Sequence, residues 1–300
     1  MCILNLSNNH RGLLLLSLLI LTSFDVWAVP PLVDGNWLEA RLGTPGLVIV
    51  DMSSEKAQYQ RFHLPGAVRL PYEALVTRRS DGVSQRVGDR RLVQILGLLG
   101  IEVDDHVVIY DDMGGLHGGR LYWELERIGH PSVSLLDGGL VRWILDGRKV
   151  DNLPVRPERA NYLPADKLRQ NLADVPMVVE AITNHEIVLL DVRSEKEYKG
   201  SRNVKRSGHI PGARWWSWDQ AVDFNGGFVA ADPKQLLESL GAVGAKPETT
   251  VIAYCRSGHR ASQTYFTLRW LGFEDVRVYD GSTAEWSARN DLPIRTGRQP

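Results

Sequence analysis

The chain has 300 residues, enough for two ordinary domains that each bury a core without disulfide staples. Hydrophobic residues make up 43% and charged residues 24%, the balance of a folded globular protein and not of a disordered one. The formal charge is -1 and there is no long basic run, so electrostatics gives no argument for a nucleic-acid partner.

In chain order, the N-terminus stands apart first. Arg11 precedes an apolar stretch at residues 13–21, and Val26-Trp27-Ala28 puts a small residue at a candidate cleavage point. That layout predicts a secretory signal peptide over residues 1–28, its apolar stretch far shorter than the roughly twenty residues of a membrane span. The expectation is export, periplasmic or secreted, with no stable membrane association after cleavage. Cleavage after Ala28 removes Cys2 and leaves Cys255 as the single cysteine, with no internal disulfide partner. Such a thiol is either inert or reactive, and its neighbours decide which.

The remainder is a duplicated unit. Leu47-Val48-Ile49-Val50-Asp51 echoes Ile187-Val188-Leu189-Leu190-Asp191, and His63-Leu64-Pro65-Gly66-Ala67 echoes His209-Ile210-Pro211-Gly212-Ala213. Val107-Val108-Ile109-Tyr110 echoes Val251-Ile252-Ala253-Tyr254, and Asp137-Gly138-Gly139 with Trp143 echoes Asp280-Gly281-Ser282 with Trp286. The four pairs keep the same order and lie about 140 to 146 residues apart, a spacing for two domains and too long for a solenoid repeat.

Each unit reads as α/β. Runs at 47–50, 107–110, 187–190 and 250–254 are short, apolar and β-rich, as strands buried on both faces are. Between them, residues 89–99 and 232–240 carry helical spacing, with Gly100 and Gly241 as stops and Asp232-Pro233 as an N-cap and first-turn proline. The expected fold is two tandem domains, each a mainly parallel sheet flanked by helices. The divisions fall at 29–151, a proline-rich linker at 152–163, and 164–300.

The strand at 250–254 runs directly into Cys255-Arg256-Ser257-Gly258-His259-Arg260, followed by a helix-like run at 261–271. Ligands of open α/β sheets bind beyond the carboxyl ends of strands, and Cys255 sits at that turn. A helix N-terminus carries about half a positive charge and favours a thiolate. Arg256 and Arg260 add charge, and Gly258 lets the loop turn its amides inward, giving a nest for a thiolate, a persulfide or an oxyanion. Without those neighbours a cysteine ending a buried strand reads as a small core hydrophobe.

These residues carry a resemblance to the tandem-domain rhodaneses, the thiosulfate and 3-mercaptopyruvate sulfurtransferases. It covers nearly all of the mature chain. It rests on Asp191-Val192-Arg193 with Glu197-Tyr198, on Gly208-His209-Ile210-Pro211-Gly212-Ala213, on the loop from Tyr254 to Arg260, and on Asp280-Gly281 with Trp286. The resemblance implies a reactive cysteine in the second domain and a catalytically silent first domain, where Asp111 holds the matching position.

It further implies a two-step reaction. The Cys255 thiolate takes sulfur from a small anionic donor, and a nucleophilic or thiol acceptor then removes it. The loop amides from Arg256 to Arg260, with Ser257, Gly258 and His259 between them, would hold the persulfide, and Arg256 and Arg260 would bind the donor. Arg193 matches a family arginine near the donor, and Asp191 would orient the loop. Arg256 directly after the cysteine favours thiosulfate over 3-mercaptopyruvate as donor. His259 is expected to face solvent, its alternative being to protonate near neutral pH and tune the local field.

Other readings stay open. A cysteine phosphatase or arsenate reductase on this fold has five residues between cysteine and arginine, against four between Cys255 and Arg260. A persulfide carrier loaded by a dedicated partner would carry the same loop. Trp215, Trp216 and Trp218 pack or line the cleft. His63 and His209, recurring in both units, serve the turn. The glycines at 114, 115, 118 and 119 lack the Lys-Ser/Thr ending of a phosphate loop. No cysteine pair or histidine cluster has metal-ligand spacing, so neither metal nor other cofactor is expected.

Overall fold

A computed structural model describes residues 29–300 except Lys167 and Arg202. The expected signal segment and Cys2 lie outside the described residues.

The apolar β-rich runs form the centres of two five-stranded sheets. In the first, the order is Leu32–Val33, Val133–Leu136, His106–Tyr110, Leu47–Asp51, Val68–Arg69. In the second it is Leu172–Ala173, Val276–Tyr279, Thr250–Tyr254, Ile187–Asp191, Arg214–Trp215. Every neighbouring pair in both sheets is parallel. The central pairs match in register: Leu47 faces His106 and Asp51 faces Tyr110, as Ile187 faces Thr250 and Asp191 faces Tyr254. The duplication seen in the sequence is therefore a duplication of sheet topology.

Helices cover both faces, which is why the central strands have no polar face. Asp232 caps its helix by accepting the Gln235 amide at 3.0 Å, and Pro233 opens the helix Pro233–Ala242. The helix beyond Cys255 runs His259–Trp270, starting two residues before the sequence pattern suggests. Gly258, with φ of 77°, turns the chain abruptly enough for the helix to start at the next residue.

The two units share their largest core. The helix Gly118–Arg127 of the first lies against His259–Trp270 of the second, so closely that a Cβ on Gly119 would come within 2.6 Å of the Gln263 backbone. Tyr122 meets Phe266 edge to face at 5.0 Å. Around this contact the units clasp each other reciprocally. Asp137 accepts the Ala230 amide across the interface at 2.7 Å, and Asp280 accepts the Arg86 amide at 2.5 Å. Residues 152–163 form no helix or strand, but Ala160 donates to the Gly97 carbonyl at 2.9 Å and Tyr162 is buried.

Candidate active site

The strand Thr250–Tyr254 delivers Cys255 into a loop enclosed by the helix His259–Trp270 and the short helix Ser282–Ala288. Cys255 is a free thiol and buried, 1% exposed. Thr283 and Ala284 donate their amides to the Cys255 and Arg256 carbonyls at 3.1 and 3.0 Å, fastening the loop to that helix. The Cys255 and Gly258 amides both donate to the Ser282 hydroxyl, each at 3.1 Å. The amides of Arg256, Ser257, His259 and Arg260 find no acceptor among the described residues. Buried or half-buried N–H groups with no protein partner are what an anion site offers.

The matching loop in the first unit shows such a cradle filled. There one oxygen of the buried Asp111 carboxylate accepts the Met113 and Gly115 amides at 2.9 Å each. Its other oxygen accepts those of His117 at 2.7 Å and Gly118 at 2.9 Å. A carboxylate of the chain itself occupies the nest, so this loop has room for neither a nucleophile nor a phosphate.

The structure sorts the cations around Cys255. Arg260 is held in a fork by Glu197, at 2.7 and 2.9 Å, and this guanidinium keeps the Glu197 carboxyl down at about 2. Arg193 donates to both oxygens of the buried Asp191, at 2.9 and 2.5 Å for its closest contacts, and to the Gly208 carbonyl at 2.8 Å. Arg256 is exposed and forms no ion pair with the described residues. Of the three, Arg256 has its charge available for a ligand, while Arg260 and Arg193 act as fixed charges that brace the site. Arg256 and Arg193 line a cavity of about 640 Å³ together with Lys196, Glu197 and Thr283. Cys255 lies beside this cavity and does not line it.

His259 departs from expectation. Its ring is stacked on His117 at 5.0 Å and tilted over Tyr72 at 4.1 Å, both from the first unit, and its Nε2 is buried without a hydrogen-bond partner. Burial, helped by the charges of His117, Arg120 and Arg260, pushes its pKa down to about 3, so the ring is neutral at ordinary pH. Both aromatic rings packed on it come from the first domain. The tryptophans pack or brace. Trp216 is buried, and Trp215 donates to the Arg193 carbonyl at 2.8 Å. His63 and His209 stack on Tyr59 and Tyr198 and bond those tyrosines' carbonyls at 2.7 and 2.8 Å, a turn role in both units.

Four residues near the loop escape a reading of the sequence. Arg120 of the first unit, completely buried, donates to Asp280 at 2.6 Å, and this pair lies directly against Gly258: a Cβ there would strike the Asp280 carboxylate and come within 3.0 Å of the Arg120 guanidinium. Gly258 is thus required by its neighbours as well as by its φ. Ser282, Tyr72 and His117 complete the set, and only Ser282 carries a sequence signal, standing where the repeat has Gly139.

Comparison with known families matches the rhodanese-like domain twice, at residues 34–146 and 168–289. The thiosulfate sulfurtransferase of Corynebacterium glutamicum is 34% identical over 290 residues, covering 92% of this chain and 94% of that one. The putative thiosulfate sulfurtransferase SseA of Mycobacterium leprae is 32% identical over 295 residues, covering 93% and 95%. Among solved structures, YnjE matches with a TM-score of 0.79 at 25% identity, over 89% of this chain and 68% of that one. EanB, at 0.79 and 22% identity, shares the fold over 89% and 69%. The chain belongs to the rhodanese family, as a two-domain sulfurtransferase.

Proposed function

We propose that the protein transfers the outer sulfur of thiosulfate to cyanide or a thiol through a persulfide on Cys255. The observation that carries this reading is the contrast between the two loops. In one, four amides close on the Asp111 carboxylate. In the other, amides without a protein acceptor surround a cysteine. That loop suits an anion formed on the cysteine itself.

In the first step the Cys255 thiolate attacks the outer sulfur of thiosulfate. An S–S bond forms to the cysteine, the S–S bond within thiosulfate breaks, and its electron pair leaves with sulfite. The negative charge now rests on the outer persulfide sulfur, where the free amides and helix N-terminus stabilise it. In the second step cyanide attacks that sulfur, thiocyanate leaves, and the thiolate is regenerated. Each step conserves charge, and neither needs an added oxidant or cofactor. Arg256 draws the dianionic donor to the cavity mouth, and Arg193 and Arg260 supply fixed positive charge. Names of the relatives favour thiosulfate. The tie between Arg260 and Glu197 counts against a phosphatase, which needs a free guanidinium in its loop for a tetrahedral oxyanion.

Intact mass after thiosulfate treatment tests the reading. The expected result is a gain of one sulfur atom, lost on adding cyanide and absent in Cys255→Ala, with ping-pong kinetics in turnover. An unmodified wild-type mass would overturn it. Export rests on the pattern of residues 1–28, and fractionation of cells expressing the full chain tests that separately.

A further inference from the structure

The two units solve one problem differently. Each has a loop glycine with positive φ ahead of its helix, Gly115 at 83° three residues before Gly118 and Gly258 at 77° directly before His259, whose amide needs an acceptor. In the first unit the acceptor is the Asp111 side chain, at the cysteine position. In the second, a thiol takes that position and is a poor acceptor. The Gly258 amide goes instead to the Ser282 hydroxyl, which also accepts the Cys255 amide and donates its own proton to the Tyr279 carbonyl at 2.8 Å. Ser282 is completely buried and all its hydrogen-bonding capacity is used.

Ser282 also keeps an unfavourable backbone. Its φ is 52°, and the equivalent Gly139 has 50°. Glycine adopts this conformation freely, whereas a residue with a side chain is strained there. Both helices fasten their loops alike, Leu140 donating to the Asp111 carbonyl at 2.8 Å and Thr283 to the Cys255 carbonyl at 3.1 Å. Glycine would therefore serve the backbone in either unit. The feature that Ser282 adds is its hydroxyl.

We propose that Ser282 is the positioning residue of the Cys255 loop: it takes over the acceptor role that Asp111 plays in the silent unit, closing the loop from outside so that the cradle stays free for sulfur. Its effect on chemistry rests on the sulfurtransferase reading above; its effect on the loop does not. The Ser282 hydroxyl bonds the Cys255 and Gly258 amides and the Tyr279 carbonyl, and it acts through those amides.

The test is a double-mutant cycle with a kinetic arm. Ser282→Gly preserves the positive φ and deletes the acceptor. In the wild-type background it should lower the urea midpoint. With Cys255→Asp, which supplies a carboxylate where the silent unit has one, the same change should cost little or nothing. An equal cost in both backgrounds would refute the proposal, with no sulfur chemistry involved. In the kinetic arm, Ser282→Gly should reduce the rate of persulfide formation by about tenfold or more, because the Cys255 and Gly258 amides both lose their acceptor. The KM for thiosulfate should stay within about twofold, because Ser282→Gly leaves Arg256 and the cavity residues in place. A purely structural serine would leave the rate of persulfide formation per folded molecule unchanged. If wild type takes up no sulfur, the functional reading fails while the cycle still judges Ser282. Should Ser282→Gly not fold, Ser282→Ala in the Cys255→Asp background gives the same comparison.

Discussion

Around Cys255 the positive residues differ in what their charges can do. Arg260 and Arg193 spend theirs on Glu197 and Asp191, while Arg256, exposed at the cavity, forms no ion pair with the described residues. Arg256→Ala should therefore raise KM for thiosulfate by about tenfold with a smaller change in kcat, an effect that fades at high salt. Steady-state kinetics at two ionic strengths checks this. His259 gives a pH prediction. Its pKa falls from 6.5 in the unfolded chain to about 3 in the fold, so the folded state favours the neutral ring. Stability linked to this group is complete above about pH 6.5 and drains away as pH falls toward about 3, because the unfolded chain gains the proton first. Melting curves of His259→Asn across that window should fall less steeply with acid than those of wild type.

The loop–helix element is where the two units diverge in function. The Asp111 carboxylate binds four amides, one buried and three partly buried, that would otherwise lack this acceptor. Asp111→Ala should cost about 2–4 kcal/mol of stability, the scale for losing a charged acceptor of buried donors. Acetate or formate should recover part of it by refilling the cradle, raising the melting temperature of the variant more than that of wild type. No recovery would mean that the emptied loop collapses. Such a result would also weaken the analogy between the two nests.

At the scale of the whole molecule, the first unit forms part of the candidate site. Arg120 passes from its helix to Asp280, and Glu124 and Arg86 extend the buried network, with Arg86 bonding Glu124 at 2.7 Å. Arg120→Met would leave the Asp280 carboxylate buried without its guanidinium partner, while Glu124 keeps Arg86, at a cost of about 3–5 kcal/mol. Because the Asp280 side chain lies against Gly258, activity should fall along with stability. Urea denaturation together with turnover at a temperature where the variant is fully folded separates the two effects. Adding Asp280→Asn to Arg120→Met should restore part of the stability by removing one stranded charge.

The sequence by itself determined the duplication, the strand cores, the position of Cys255 and the aspartate that stands at the matching place in the first unit. These rest on local patterns: apolar runs of strand length, glycines at turns, and a cysteine at a strand-to-helix junction. Which charges are free and which are spent was decided by tertiary structure, since Glu197 reaches Arg260 only once two separate segments meet. The same holds for His259, whose ring packs on Tyr72 and His117 of the other domain. Arg120 and Asp280 lie 160 residues apart, and no local pattern marks them as partners. Burial and pairing depend on what the fold brings alongside a residue, and that information is spread across the chain.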